Sequence, residues 1–141
     1  MKTSNPKPSA PQWLLLDAQG QMLGIVAAKA ASLLRGKHKV TFAPNVLHGD
    51  HVVIVNAAQI AVRPKKARNK LYHRHTPYLG HMQVTTLETM LEKKPTVPME
   101  KAISGMLPKN RLRKEMMKRL HVFATAEHPF GAQQPSPIVL A

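Results

Sequence analysis

Two apolar runs separated by an amphipathic helix constrain the fold of this chain more than any other feature. "QWLLLD" (Gln12–Asp17) is a short apolar run that ends at a turn, and it reads as a buried strand. "HVVIVNA" (His51–Ala57) is β-branched with few polar interruptions, the pattern of a strand covered on both faces. Between them, Val26, Ala30, Leu33 and Leu34 recur at i, i+4, i+7 and i+8, while Lys29, Ser32 and Arg35 take the other side. That period predicts a helix over Met22–Arg35, with Gly36 as its C′ residue. Strand, helix and strand within about forty-five residues make a βαβ unit, whose two strands are expected to be parallel.

The remaining pattern predicts one α/β domain. At 141 residues the chain fits a single domain and can bury roughly 68–70% of its unfolded surface. Residues 1–11 hold three prolines and two lysines and read as a flexible arm. The domain is expected over 12–124, followed by a Pro/Gly-rich tail over 125–141 that cannot stay regular for long. Pro64 makes a poor start for a central strand. "KLYHRH" (Lys70–His75) alternates Leu71, His73 and His75 against Tyr72 and Arg74, so an exposed strand or extended arm fits; "TPYLGH" after it reads as a loop. "TLETMLEKK" (Thr86–Lys94) is a short helix with Glu early and Lys late. A second amphipathic helix follows, with Pro98 at N1, Met99, Ala102, Ile103 and Met106 on its apolar face, and Pro108 beyond its end. Asn110 is expected to cap a third helix, Arg111 to about Arg119, and "LHVFA" (Leu120–Ala124) reads as a last strand.

Charge narrows the function. The chain carries 21 Lys+Arg against 7 Asp+Glu, a net +14. Self-repulsion at that charge favours a polyanionic partner. Three segments concentrate it. Gly36–Lys39, "GKHK", is a basic loop. Arg63–His75 holds six cations, two histidines and one tyrosine, and no acid occurs from His51 through Leu87. Along the third helix, Leu112, Met116 and Leu120 share one face, and Arg111, Lys114 and Lys118 share another. Lys and Arg neutralise phosphates and release counterions, while Tyr72 and the imidazoles suit exposed bases or 2′-hydroxyls. No helix-turn-helix, zinc-finger or RRM pattern is present. Structured RNA is therefore expected as the partner, rather than duplex DNA.

Other chemistries lack their parts. Cysteine is absent, which removes disulfides, Cys-based zinc sites and thiol nucleophiles. His73 and His75 can share one side of a strand, with His81 or His128 as neighbours, but no suitably spaced third zinc ligand accompanies them. Asp17 and Asp50 suggest a paired-carboxylate nuclease, yet parallel strands would put them at opposite ends of the sheet, so turn-capping aspartates are expected. "GQMLG" (Gly20–Gly24) does not match a dinucleotide or phosphate loop. Met99, Met106, Met116 and Trp13 are expected in the core. No apolar run of about 18 residues occurs, so no helical membrane span is expected. The arm has no apolar core, so it is not a secretory signal, and it lacks the Arg-rich amphipathic pattern of an organellar presequence.

The motifs "WLLLDAQGQMLG", "LLRGKHKVTFAP", "GDHVVIVNA", "KLYHRHTPYLG", "GMLPKN" and "EHPFGAQQP" occur in that order over Trp13–Pro135. With them the chain resembles the universal family of the thirteenth protein of the large ribosomal subunit, in its bacterial and organellar form. The resemblance implies a three-layer α/β/α domain around a small, mainly parallel sheet. It implies binding to large-subunit rRNA early in assembly, beside neighbouring subunit proteins, with no catalysis, no cofactor, no DNA partner and no homo-oligomer. Carried over by motif, it puts Lys37 and Lys39, Lys70, Tyr72, His73, Arg74 and His75, and Lys109 and Asn110 at RNA. The residues' own charge adds Arg63, Lys65, Lys66, Arg68, Arg111, Arg113, Lys114 and Lys118. Three departures stand out: Ile25 where the family usually has Arg, "RPKK" (Arg63–Lys66) where it commonly has "TGKK", and Phe130 where it commonly has a second His. Together with "GDHVVIVN" and "LRKEMMKRLHVF" they favour a mitochondrial member over a bacterial or plastid one. The alternative function is an RNA-binding regulator outside the ribosome.

Overall fold

The computed structural model describes residues 7–139. Residues 1–6 of the expected arm and the last two residues of the tail lie outside that range. Strands β1 (Trp13–Asp17) and β2 (His51–Val55) pair in parallel, Trp13 opposite His51 and Asp17 opposite Val55. Helix α1 (Leu23–Arg35) connects them and buries Val26, Ala27, Ala30, Ala31, Leu33 and Leu34. Its face is the expected one, widened by two alanines. Gly36 ends it at φ 78, its N–H donating to the Ser32 and Leu33 carbonyls, as a C′ glycine does. Strand β2 stops two residues before the expected end, because Asn56 turns left-handed at φ 57 and opens a 3-10 turn over Ala57–Gln59.

The middle of the chain holds two elements the pattern did not predict. Pro64 opens helix α2 (Pro64–Asn69), at the first helical position, where its missing N–H leaves no bond unmade. Strand β3 (Leu71–His75) then pairs antiparallel with β4 (Met82–Thr86), Leu71 opposite Thr86 and His75 opposite Met82. "MQVTT" carries too weak an alternation to read as a strand alone; pairing with β3 makes it one. Thr86 caps helix α3 (Leu87–Lys93), its hydroxyl accepting the Thr89 N–H at 3.3 Å.

Helix α4 (Thr96–Met106) starts earlier than expected, and Pro98 falls at its third position rather than N1. The first turn needs no N–H there either. Met99 and Ile103 are fully buried, but Met106 is 48% exposed. The expectation of a core Met106 therefore fails: it closes the last turn of α4 and borders two surface depressions beside α1. Helix α5 (Leu112–Lys118) and strand β5 (Leu120–Val122) follow. The tail supplies a 3-10 turn (Phe130–Gln133) and strand β6 (Ser136–Ile138).

The result is a mixed α/β domain with a four-stranded parallel sheet in the order β5-β2-β1-β6, flanked by helices. Leu14, Leu16, Val52 and Ile54 face α1, Met99 and Ile103 of α4, and Met116 of α5. Each such side chain contributes about 1.5–3 kcal/mol on full burial. On the other face Trp13 stacks on His51 (ring centroids 4.3 Å apart) and on His121 (5.5 Å), and Phe130 lies 4.9 Å from Trp13. Trp13 is thus half-buried and anchors the tail to the sheet.

Burial pushes the imidazoles of His51 and His121 below the ordinary value of 6.5, and Arg119 and His121 lower His51 further against the opposing pull of Asp50. The unfolded chain then binds protons more readily, so the stability these rings contribute is complete above pH 6.5 and is lost as pH falls below it. Melting temperatures measured from pH 7.5 down to 5 should decline, and His121→Phe should flatten the decline. Gly49 packs against the end of α1 so closely that a Cβ there would sit 1.7 Å from the Leu34 carbonyl oxygen. Gly49→Ala should cost about 3 kcal/mol or more in denaturant unfolding, because backbone must move.

Candidate nucleic-acid interface

The cations of the Arg63–His75 segment are raised into solvent by two short elements. Arg63, Lys65, Lys66, Arg68 and Lys70 are all exposed on and around α2, whose first turn contains no acid. A six-residue helix is far below the length that holds itself together in water. It packs against α3 and β4, which fixes a cluster of like charges that would otherwise spread apart. On β3 the alternation is as expected. His73 and His75 share a face with Leu71, opposite Val84 and Met82, and all five are exposed. Arg74 points to the other face, opposite Gln83, and is also exposed.

Tyr72 is placed differently from its neighbours. It is half-buried, and the ammonium groups of Lys70 and Lys101 lie 5.3 and 5.0 Å from its ring centroid. Both distances fall within reach of a cation–π attraction. The ring therefore helps to hold two cations in position. The sequence carries no signal for Lys101, which stands far from Tyr72 along the chain on a helix of mixed charge. Likewise Arg35 lies 5.4 Å over the Phe42 ring, a contact with no local sequence signal.

The second surface is α5 with the turn before it. Just ahead of the Arg111 N-cap, Asn110 accepts the Arg113 N–H both at Oδ1 (3.1 Å) and at its own carbonyl (3.2 Å), which pins the first turn. The helix proper begins one residue after the expected start. Met116 is buried and Leu112 half-buried, while Lys109, Asn110, Arg111, Lys114 and Lys118 are exposed and Arg113 is half-buried. Lys118 Nζ lies 2.9 Å from Glu115 Oε1, with both side chains mostly in solvent. A pair so exposed holds weakly, so Lys118 remains free to meet another anion.

In the basic loop the two lysines part company. Lys37 is exposed. Lys39 Nζ lies 2.5 Å from Asp50 Oδ1, and its side chain is only 13% exposed. His38 Nε2 sits 2.8 Å from Asp50 Oδ2, and Asp50 Oδ1 also accepts the Gln12 N–H at 2.9 Å. Asp50 is completely buried, so it ties the loop to the start of the sheet. Asp17 sits at the other end of the sheet, as parallel strands require, and accepts the Gln19 N–H and the Asn56 side-chain amide, both at 2.9 Å. It caps the turn, whereas Asp50 acts as an ion-pair hub. Among the described residues no three of His, Cys, Asp and Glu gather as a metal site would require, and no helix is long and apolar enough to cross a membrane.

Residues 11–129 match the family described as Ribosomal protein L13. The chain belongs to this family. It is 50% identical to the large ribosomal subunit protein uL13 of Lawsonia intracellularis, over 99% of each chain. The uL13 proteins of Alkalilimnicola ehrlichii and Bordetella avium are 48% and 49% identical, over 98% and 99% of this chain and 99% and 100% of theirs. The family match covers all three basic surfaces and, of the elements absent from the sequence pattern, α2 and β4.

Asp50 yields the sharpest test of this site. Asp50→Ala leaves Lys39 and His38 without their buried acceptor, and breaking a buried pair this way costs about 3–5 kcal/mol. Lys37→Ala should cost less than about 0.5 kcal/mol. Urea unfolding of the two variants should show that difference.

Proposed function

We propose that this chain is a structural constituent of the large ribosomal subunit, binding and stabilising large-subunit rRNA in support of assembly and translation. One observation carries the reading: a member of the ribosomal L13 family holds its cations on separate, outward-facing elements, without carboxylates to answer them across 51–87. Crossing RNA backbones repel one another, and cations placed between them let RNA helices approach. In this reading Lys37, Arg63, Lys65, Lys66, Arg68, Lys70, His73, Arg74 and His75 meet RNA, as do Lys109, Arg111, Arg113, Lys114 and Lys118. Lys39 and Tyr72 serve by position, one through Asp50 and one through the lysines around its ring. Asn110 both pins the first turn of α5 and borders the same surface.

Large-subunit rRNA and adjacent subunit proteins are the partners, and the chain performs no catalysis. For the compartment, the relatives named above are bacterial and match almost end to end. They support a bacterial ribosome over the mitochondrial one to which Ile25, Arg63–Lys66 and Phe130 pointed.

Sucrose-gradient fractionation of the host lysate tests the reading. The protein should stay with large subunits at moderate salt; recovery only in free fractions would instead indicate a regulator acting outside the ribosome. The α5 surface has its own test. Lys114→Glu with Lys118→Glu should weaken binding to large-subunit rRNA and flatten its salt dependence by about 0.7–0.9 in slope per lost phosphate contact. An unchanged slope would remove α5 from the interface.

A further inference from the structure

Resting on the rRNA-binding reading, we propose that the cavity between the start of α1, the end of α4 and α2 receives one unpaired nucleotide of the bound RNA. Its base would lie against Met22, Ile25 and Met106, and its phosphate at Arg63, Lys66 and Lys70. The cavity measures ≈ 410 Å³, within the range of about 300–1,000 Å³ typical of sites for single small ligands.

Three observations converge on this occupant. Met22, Ile25 and Met106 are each between 43% and 48% exposed, and all three line this one cavity. Its floor is apolar, with Leu87 and Ala102. Two of the exposed residues are methionines, whose sulfur makes favourable contacts with flat aromatic rings. The three cations lining the same space are exposed. Among the described residues no carboxylate lines it. An apolar protein segment would find nothing to use those cations. A nucleotide carries a flat, weakly hydrated base and an anionic phosphate on one small unit, and so satisfies both walls. Helical Gly24 lines the same space, and a Cβ built on it meets nothing within 4 Å. A side chain at this position therefore has open space at the rim of the cavity and meets no packed atom at its Cβ.

That opening provides the test. Gly24→Leu fills the cavity and raises helix propensity, so thermal melting should be unchanged or higher. Full-length wild type and Gly24→Leu are bound to large-subunit rRNA, and every base is probed by base-specific chemical modification. Wild type should protect one short cluster of unpaired bases that becomes reactive with Gly24→Leu. Binding should weaken about fivefold, the lower end of what one stacked base contributes. The salt slope should flatten by no more than about 0.7–0.9, the share of the single phosphate held at Arg63, Lys66 and Lys70. Lys114→Glu with Lys118→Glu should weaken binding but keep that protection. Identical base reactivities with wild type and Gly24→Leu would overturn the proposal, as would a photo-crosslinker at Met106 that captures a subunit protein in place of RNA. A wild-type chain with no affinity for the rRNA would instead sink the underlying function, and this site with it.

Discussion

The buried carboxylate of Asp50 holds together the parts of this molecule that charge would drive apart. A chain with 21 basic and 7 acidic side chains cannot neutralise itself, so the position of each acid matters. Asp50 is wholly buried and bonded to the Gln12 N–H, with Lys39 and His38 paired to its two oxygens. It therefore joins the start of β1, the basic loop after α1 and the start of β2 in one place. A buried charge paired in this way contributes little net stability over an apolar equivalent, but it fixes geometry, since any other arrangement leaves a charge unpaired. Gly36 and Gly49 reinforce that choice. The backbones of the α1 terminus and the 48–50 turn approach so closely that neither glycine leaves room for a Cβ.

Around that hub the two faces of the sheet have different tasks. One face packs against α1, α4 and α5 and provides the apolar core. The other carries Trp13, His51 and His121 in a row of stacked rings, on which Phe130 of the tail settles. The tail then contributes β6, and Ser136 Oγ donates to the Trp13 carbonyl at 3.1 Å. The C-terminal segment is thereby tied to the first strand. The β3–β4 hairpin and α2 stand outside this core on a platform of α3 and α4, which is why their cations face outward with few internal partners.

Such an arrangement suits a protein that works by filling space between anions. No side chain needs an unusual protonation state or a strained conformation for it. What is needed is that cations be held at fixed separations before RNA arrives, so that little further ordering is required on binding. Tyr72 between Lys70 and Lys101, Arg35 over Phe42, and Asn110 at the head of α5 all act in this way.

Much of this was legible in the sequence. The βαβ unit, the face of α1, the Gly36 cap, the Asn110 turn and the three basic segments are local patterns, and a local period survives in any fold that buries one side of it. Helix α2, strand β4 and the exposure of Met106 were not legible. A six-residue helix of cations and a weakly alternating strand form only because α3 and β3 lie beside them, and Met106 is exposed only because α4 ends over an open cavity. Nor could spacing tell Lys37, which is free, from Lys39, which is held by an acid eleven residues away, or show that Tyr72 would meet Lys101. The sequence by itself determined the fold class and the sign of the partner, because periodicity and net charge are properties of the chain alone. Which cations remain available to that partner was decided only by tertiary structure, because ion pairing depends on distances in space that residue numbers do not contain.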